Sequence, residues 1–443
     1  MAIRICRAKL AEVAADLQGG ETSPAEYAEE CCDRIDELDA ELRSFLPEPN
    51  RHDRLREEAE ALQDRFPDPE NRPPLFGVPV GVKDIIHVEG FETRAGTALP
   101  PELFAGPEAA CVERLCEAGA LVLGKTYTTE FAGMSPAPTR NPHDLNHTPG
   151  GSSSGSAAAV AAGLCPLALG TQTGGSVIRP ASFCGIVGLK PSFGRIPRDG
   201  VLERSESADH VGTFTQDVAG AEIAASVLCE DWGETTGSAG PAGPADPDGD
   251  PTIGIPEGGY LDHATEEAQT AFRSGMKRLE EAGCSVERVT VPTFENFEAL
   301  DRRHRRLTAG ELALVHQEWF DEYRALYRTA SAETIDRGRE VTVGELAEGR
   351  ASRLELRAEL DDLMADHDLD LWAAPAAPGP APASLGTTGD PVMNRPWTHA
   401  GLPVVTLPAK TTDDGLPIGI QFAAPFGADE KLLAWAGRIE GTL

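Results

Sequence analysis

Two short stretches, TPGGSSSGS at 148–156 and GTQTGGS at 170–176, set serine hydroxyls beside backbone that can turn tightly. Gly174 and Gly175 ahead of Ser176 allow consecutive N–H groups to converge next to its hydroxyl, the arrangement that stabilises negative charge on a carbonyl oxygen under attack. A serine hydroxyl becomes a useful nucleophile only when a base removes its proton. The ten histidines, at 52, 87, 143, 147, 210, 263, 304, 316, 367 and 399, are scattered among turns and charged helices. None has a clear local partner, so each reads as structural or exposed. Lys83, inside LFGVPVGVKDII at 75–86, offers another base, because desolvation in an apolar stretch can keep a lysine neutral. The same pattern equally allows Lys83 to form an ion pair with Asp84 at a sheet edge.

Other readings of 148–156 compete. Gly151 to Gly155 spell GxSxG around Ser153, but that motif belongs between a strand and a helix, and the preceding NPHDLNHTP is no strand. The phosphate-binding patterns GxxxxGK[ST] and GxGxxG are absent here. Ser153 as the cap of a helix starting near Gly155 explains the stretch without chemistry. His143 and His147 lie four apart in a turn-rich segment without HExxH, which reads as surface histidine rather than a metal site. No metal or organic cofactor is expected.

The elements that must position these residues alternate between short apolar runs and helices. LAEVAADLQ, TSPAEYAEECCDRIDELDAEL and HDRLREEAEALQDRF make residues 1–70 helical, with Thr22 or Ser23 as a cap and Pro24 in a first turn. Strands are predicted at LFGVPVGVKDII, LVLGKT, LCPLALGTQT and CGIVGLKP, and helices at EAACVERLCEAGA and DVAGAEIAASVLCE. TIGIPEG, EEAQTAFRSGMKRLEEAG and SVERVTVP read as a βαβ unit, so GETTGSAGPAGPADPDGDP at 233–251 is a surface loop within one fold rather than a domain linker. Residues 295–366 are helical and charged. LDLWAAPAAP, PVVTLPAK and LPIGIQFAAP return to strand, and DEKLLAWAGRIE closes as helix. The fold class is therefore α/β, with a mixed sheet covered by helices.

The 443 residues carry 72 Asp and Glu against 39 Lys and Arg, a formal charge of −33. Such a field repels nucleic-acid backbone and suits a salt-adapted cytoplasm, where salt screens self-repulsion. No run approaches the roughly 18 to 20 apolar residues of a membrane span, and MAIRICRAKLAEVAADLQ lacks the apolar core of a signal peptide. A cytoplasmic location is expected. The nine cysteines, at 6, 31, 32, 111, 116, 165, 184, 229 and 284, form no CxxC pair and read as buried apolar groups or bystanders.

GVPVGVKD around Lys83, LGKTYTTEFAG at 123–133, TPGGSSSGSAAAVAAG at 148–163, GTQTGGS with RPASFCGIVGLKP at 170–191, SADHVG at 207–212 and GLPIGIQF at 415–422 together resemble the amidase-signature family of serine hydrolases. The likeness spans nearly the whole chain, and several ordered motifs are more specific than any one. It implies a single α/β/α domain over 1–443, with 295–366 on the substrate side. It implies a triad of Lys83, Ser152 (preceded by a cis bond from Gly151) and nucleophilic Ser176. Backbone N–H groups around Thr173, Gly174, Gly175 and Ser176 would form the oxyanion hole, and Ser153 would lend a supporting hydrogen bond.

The chain departs from the family pattern at Ser154, where glycine is typical, at Gln172, where aspartate is common, and at Arg179, one position later than usual. Those last two favour, as first reading, a stand-alone amidase acting on a small-molecule amide, with a homodimer among the assemblies it admits. The alternative is the glutaminase A subunit of a glutamyl-tRNA(Gln)/aspartyl-tRNA(Asn) amidotransferase, working with accessory subunits; no ligands for a glutamine α-carboxylate and α-amine stand out. A non-enzymatic scaffold would leave Lys83, Ser152 and Ser176 without a purpose. Trp397 in NRPWTHAG reads either as a pocket wall or as packing.

Overall fold

The computed structural model describes residues 8–233 and 249–443. One ten-stranded sheet gathers β1 (Pro79–Lys83), β2 (Leu121–Thr126), β3 (Leu167–Gln172), β4 (Val187–Lys190), β5 (His210–Thr215), β6 (Thr252–Glu257), β7 (Ser285–Thr290), β8 (Leu371–Pro375), β9 (Val404–Thr411) and β10 (Pro417–Ala423), in the order β2-β1-β3-β5-β4-β9-β10-β8-β6-β7. Neighbours run parallel at both ends, β2 with β1 and β1 with β3, then β8 with β6 and β6 with β7. Between them the pairs are antiparallel. Helices flank this mixed sheet, so its inner strands are buried on both faces and show continuous rather than alternating burial. The parallel β6 and β7, joined through helix Glu266–Glu281, form the βαβ unit that their sequence predicts.

One central strand was not among those expected. β5, HVGTFT, is wholly buried yet carries a histidine and two threonines, so neither an apolar run nor an alternation marks it. Two of its polar groups are met locally, His210 Nδ1 lying 2.8 Å from Ala208 O and Thr215 Oγ1 donating to Asp217 O at 2.8 Å, while His210 Nε2 and Thr213 Oγ1 have no partner among the described residues.

Helices Leu10–Gly19, Pro24–Leu42 and Arg51–Arg65 make up the amino-terminal part. Ser23 is the cap. Its Oγ accepts from Glu26 N at 3.2 Å, while the Glu26 carboxylate accepts from Ser23 N at 3.1 Å. Cys31, Cys32, Ile35 and Leu55 then pack on Leu121, Leu123 and the alanines of helix Ser154–Ala161. The 233–251 loop lies mainly outside the described residues. Residues 295–366 supply helices Phe297–Val315, Thr329–Arg339 and Val343–Asp366. Among the described residues, no helix is long and apolar enough to cross a membrane.

Helix Ser154–Ala161, SGSAAAVA, is buried at every residue. Small side chains let it lie close to β3, where Ser156 Oγ donates to Leu169 O at 2.8 Å. A Cβ on Gly155 would sit 2.2 Å from Ser44 O and 2.5 Å from Tyr127 N, both backbone atoms that cannot step aside alone. Gly155→Ala is expected to lower stability by about 1–3 kcal/mol, read as a lower denaturant midpoint. Gly441→Ala, where nothing lies within 4 Å, should leave the midpoint unchanged; equal midpoints for both variants would refute the packing argument.

Candidate active site

Lys83 ends β1 and has no exposed surface. Its Nζ lies 2.7 Å from Ser152 Oγ and 2.6 Å from Thr171 Oγ1. The ion pair with Asp84 does not form: Asp84, in the turn just past the end of β1, instead meets Lys125 Nζ at 3.1 Å. Burial, reinforced by the charge of Arg204 and opposed by that of Asp209, holds Lys83 well below the ordinary lysine value. A neutral amine there can accept a proton from Ser152.

The Gly151–Ser152 peptide is cis. Both carbonyls flanking Ser152's backbone are held: Gly151 O accepts from Arg179 Nη2 at 2.6 Å, and Ser152 O accepts from Thr129 N at 3.2 Å. The next two serines differ from it and from each other. Ser153 holds the N-cap position of helix Ser154–Ala161, but its side chain makes no capping bond; its Oγ accepts from Thr171 N and donates to Thr171 O, both at 3.2 Å. That fully buried hydroxyl is committed to β3, which also rules it out as a GxSxG nucleophile. Ser154, which had no assigned task, donates from Oγ to Gly150 O at 2.7 Å and closes the turn.

Ser176 stands in the turn between β3 and helix Ile178–Cys184. Gln172 organises that turn: its Oε1 accepts from Val177 N at 2.8 Å and Ile178 N at 3.0 Å, and its Nε2 donates to Thr398 Oγ1 at 2.9 Å. A carboxamide oxygen thus does the accepting that an aspartate could do at this position. Thr398 Oγ1 donates to Gly174 O at 2.7 Å, and Thr173 Oγ1 to Asp209 Oδ1 at 2.5 Å. A Cβ at Gly175 would lie 2.2 Å from Asn394 Oδ1, so only glycine fits this approach. Among the described residues, no backbone carbonyl takes the N–H of Gly174, Gly175 or Ser176. These donors border a cavity of about 640 Å³ that Ser176 also lines.

Sequence reasoning missed Thr171, Asp209 and Thr398. Asp209 sits in the SADHVG motif, but nothing local marks Thr398, 226 residues beyond Gln172. Trp397 is packing: it is 1% exposed, donates Nε1 to Tyr260 OH at 3.0 Å and stacks among Phe294 and Trp372. His143 meets Cys184 O at 2.9 Å and His147 meets Asp144 at 3.4 Å, so the two share no ligand set. Glu29, Asp33 and His52 come close enough to hold a cation, but both His52 nitrogens already meet carboxylates, Glu29 at 3.2 Å and Asp36 at 3.1 Å.

The amidase family model matches residues 26–433. The chain belongs to the amidase-signature family of serine hydrolases. Among solved structures it is similar to a crystal structure of an amidase, 32% identical with a TM-score of 0.86, covering 98% of this chain and 100% of that one. A peptide amidase from Stenotrophomonas maltophilia is 27% identical with a TM-score of 0.82, over 98% and 96% of the two chains. Among curated relatives, the glutamyl-tRNA(Gln) amidotransferase A subunit of Thermus thermophilus is 35% identical, covering 95% of this chain and 94% of its own. Its counterpart from a Synechococcus strain is 31% identical over 96% and 95%. As an amidase-signature enzyme the chain is an amidase of the Ser/Lys type, acting on carbon–nitrogen bonds other than peptide bonds.

The depressed Lys83 value has a readable consequence. In the relay that the resemblance implies, only neutral Lys83 can act as base, so activity should rise with pH through its folded pKa, well below 10.5, and be lost at lower pH as the amine gains a proton. Lys83→Met is expected to lower kcat by about 10²–10⁴-fold and to abolish that rising limb in a pH–rate profile. An unchanged limb in the variant would assign the titration to another group.

Proposed function

We propose that Lys83, Ser152 and Ser176 act as a proton relay and nucleophile for amide hydrolysis. Neutral Lys83 takes the Ser152 proton while Ser152 takes that of Ser176, and Ser176 Oγ bonds to the amide carbon. The oxygen that gains the electron pair is met by N–H donors of Thr173, Gly174, Gly175 and Ser176. The proton returns through Ser152 to the nitrogen, the C–N bond breaks, and ammonia or an amine leaves. Water then attacks the acyl-enzyme, giving a carboxylate and restoring the serine. The observation that carries this reading is the 2.7 Å contact between a fully buried lysine amine and the Ser152 hydroxyl. Ser153 supports it by fixing the Thr171 backbone, and Thr171 Oγ1 is the amine's second partner.

The amide we assign is that of glutamine, with the chain as glutaminase subunit of a tRNA-dependent amidotransferase. This reverses the order suggested by Gln172 and Arg179. Curated relatives from Thermus thermophilus, Synechococcus and Chromohalobacter salexigens are all that subunit, matched along at least 95% of this chain. The cavity beside Ser176 supplies charges that were not evident in the sequence: arginines on its wall for an α-carboxylate and Glu340 for an α-ammonium. Stand-alone amide hydrolysis is the second reading, favoured by the solved amidases that share the fold over 98% of the chain.

Ammonia release from glutamine, from other primary amides and from glutamine with candidate partner subunits separates the two, with Ser176→Ala as the blank. Glutamine turnover that rises on addition of partner subunits supports the glutaminase reading. Rapid turnover of other amides by the chain alone, with glutamine inert under all conditions, refutes it.

A further inference from the structure

Helix Phe297–Val315 places His304 on the wall of the cavity that Thr173, Gly174 and Ser176 also border. The residue is 3% exposed and meets a second buried imidazole: His304 Nδ1 lies 3.2 Å from His399 Nδ1, with the ring planes 76° apart. His399, in helix Arg395–Ala400, in turn places Nε2 2.8 Å from Ser352 Oγ on helix Val343–Asp366. The backbone of Thr173 is also hydrogen-bonded to the His304 side chain, in the sense that favours a protonated ring, so its carbonyl is the acceptor. With Nδ1 turned to His399, Nε2 is the nitrogen left to donate.

These contacts fix where the protons sit. Burial holds both rings far below the ordinary histidine value, His399 down to about 3, and neighbouring arginines add to the effect. Each ring is therefore neutral near pH 7 and carries one N–H. Two bare nitrogens, or two N–H groups, repel at 3.2 Å, so a single proton lies between the Nδ1 atoms. His304 carries its own proton on Nε2, toward Thr173 O; the shared proton belongs to His399, whose bare Nε2 accepts from Ser352 Oγ. The reverse order, with Ser352 donating to Gly349 O at 2.9 Å, leaves His304 Nε2 without a proton against a carbonyl oxygen. The donors thus run from Ser352 to His399, to His304, to Thr173 O.

We infer that His304 is a positioning residue of the oxyanion hole: ordered by His399 and Ser352, it holds the Thr173 carbonyl and so aims the Gly174 N–H. The inference rests on the proposed use of Ser176 as nucleophile. In a trans peptide the C=O and N–H point in opposite directions, and neither Thr173–Gly174 nor Gly174–Gly175 is cis. A donor on the carbonyl therefore sets the direction of the N–H across the bond. Thr398 does for the next peptide what His304 does for this one, its Oγ1 donating to Gly174 O at 2.7 Å and aiming the Gly175 N–H. Thr398 and His399 are consecutive in helix Arg395–Ala400, so one short helix orients both donors. Donors fixed before charge develops are the ones that stabilise it most.

An alkyl fluorophosphonate tests this without the natural amide: Ser176 Oγ bonds to phosphorus, the P–F bond breaks, fluoride leaves, and the phosphoryl oxygen occupies the oxyanion position. His304→Phe is expected to slow labelling at saturating probe by about 100-fold, with the half-saturating probe concentration and the denaturant midpoint unchanged. His304→Gln, whose amide N–H reaches the place of Nε2–H, should recover most of that rate. His399→Phe should match His304→Phe, and the double variant should lose no more than either, because the two rings act as one unit. An unchanged rate in His304→Phe, equal loss in the Gln and Phe variants, or additive losses overturn the inference. Failure of the unsubstituted chain to be labelled at Ser176 sinks the nucleophile reading instead, and the oxyanion role with it. Nitrogen-15 spectra of histidine-labelled Ser176→Ala give a readout without reaction. They should show His304 as the neutral Nε2–H form and His399 as the neutral Nδ1–H form; the opposite pair, or a charged ring near pH 7, overturns the proposed order of donors.

Discussion

The proposed relay depends on keeping water, and any directly bonded carboxylate, away from one amine. An exposed lysine is protonated near neutral pH and cannot serve as a base; removing its solvent without a carboxylate bonded to the amine reverses that preference, and the charge of Asp209 only partly opposes it. Lys83 has hydroxyl and carbonyl groups of Ser152 and Thr171 around Nζ and no exposed surface. β1 achieves this by lying between β2 and β3, with the small-residue helix Ser154–Ala161 against it. The neighbouring acid is diverted: Asp84, past the end of β1, pairs with Lys125. Were Asp84 to reach Lys83, its charge would raise the amine's pKa and disable the proposed base.

The second requirement is a rigid turn before Ser176, and the chain meets it with long-range bonds rather than local ones. Gln172 ties the turn to helix Ile178–Cys184 and to Thr398, Thr398 ties back to Gly174, and Asp209 anchors Thr173. Asn394 sits against Gly175. The carboxy-terminal segments therefore help shape a turn formed two hundred residues earlier, which is why β9 and β10 must share a sheet with β3. Donors held in place before charge develops need little reorganisation as the oxyanion forms.

Sequence patterns reveal the parts of this design that are local. Short apolar runs bounded by glycine give β1 to β4, and the helix between β6 and β7 is plain from its period. β5 is hidden because a strand buried on both faces need not alternate, and HVGTFT places a histidine and two threonines where an apolar run would mark a buried strand. The motifs point to Lys83 and Ser152, which the fold brings into contact, but not to their surroundings. Whether Lys83 meets Asp84 or a serine depends on the turn that follows β1. Whether Ser153 caps a helix or grips β3 depends on the approach of Gly170, where a Cβ would lie 2.8 Å from Ser153 Oγ. Thr398 belongs to the site only through tertiary contact, and the arginine-lined wall exists only once helix Phe297–Val315 is placed over Ser176.

A second buried lysine shows why burial alone does not make a base. Lys190, at the end of β4, has no exposed surface, and burial lowers it to about 7. Its Nζ donates to Leu402 O at 2.5 Å and Pro191 O at 3.0 Å. Carbonyl oxygens accept but have no proton to give, so this amine can only bridge β4 to the segment before β9 and lock that corner of the sheet. Lys83 differs in its partners. Ser152 Oγ is a proton donor in its own right, at the end of a peptide whose orientation Arg179 and Thr129 fix from both sides. Burial lowers both lysines, and the hydroxyl beside one of them is what distinguishes a structural amine from the base of the proposed relay.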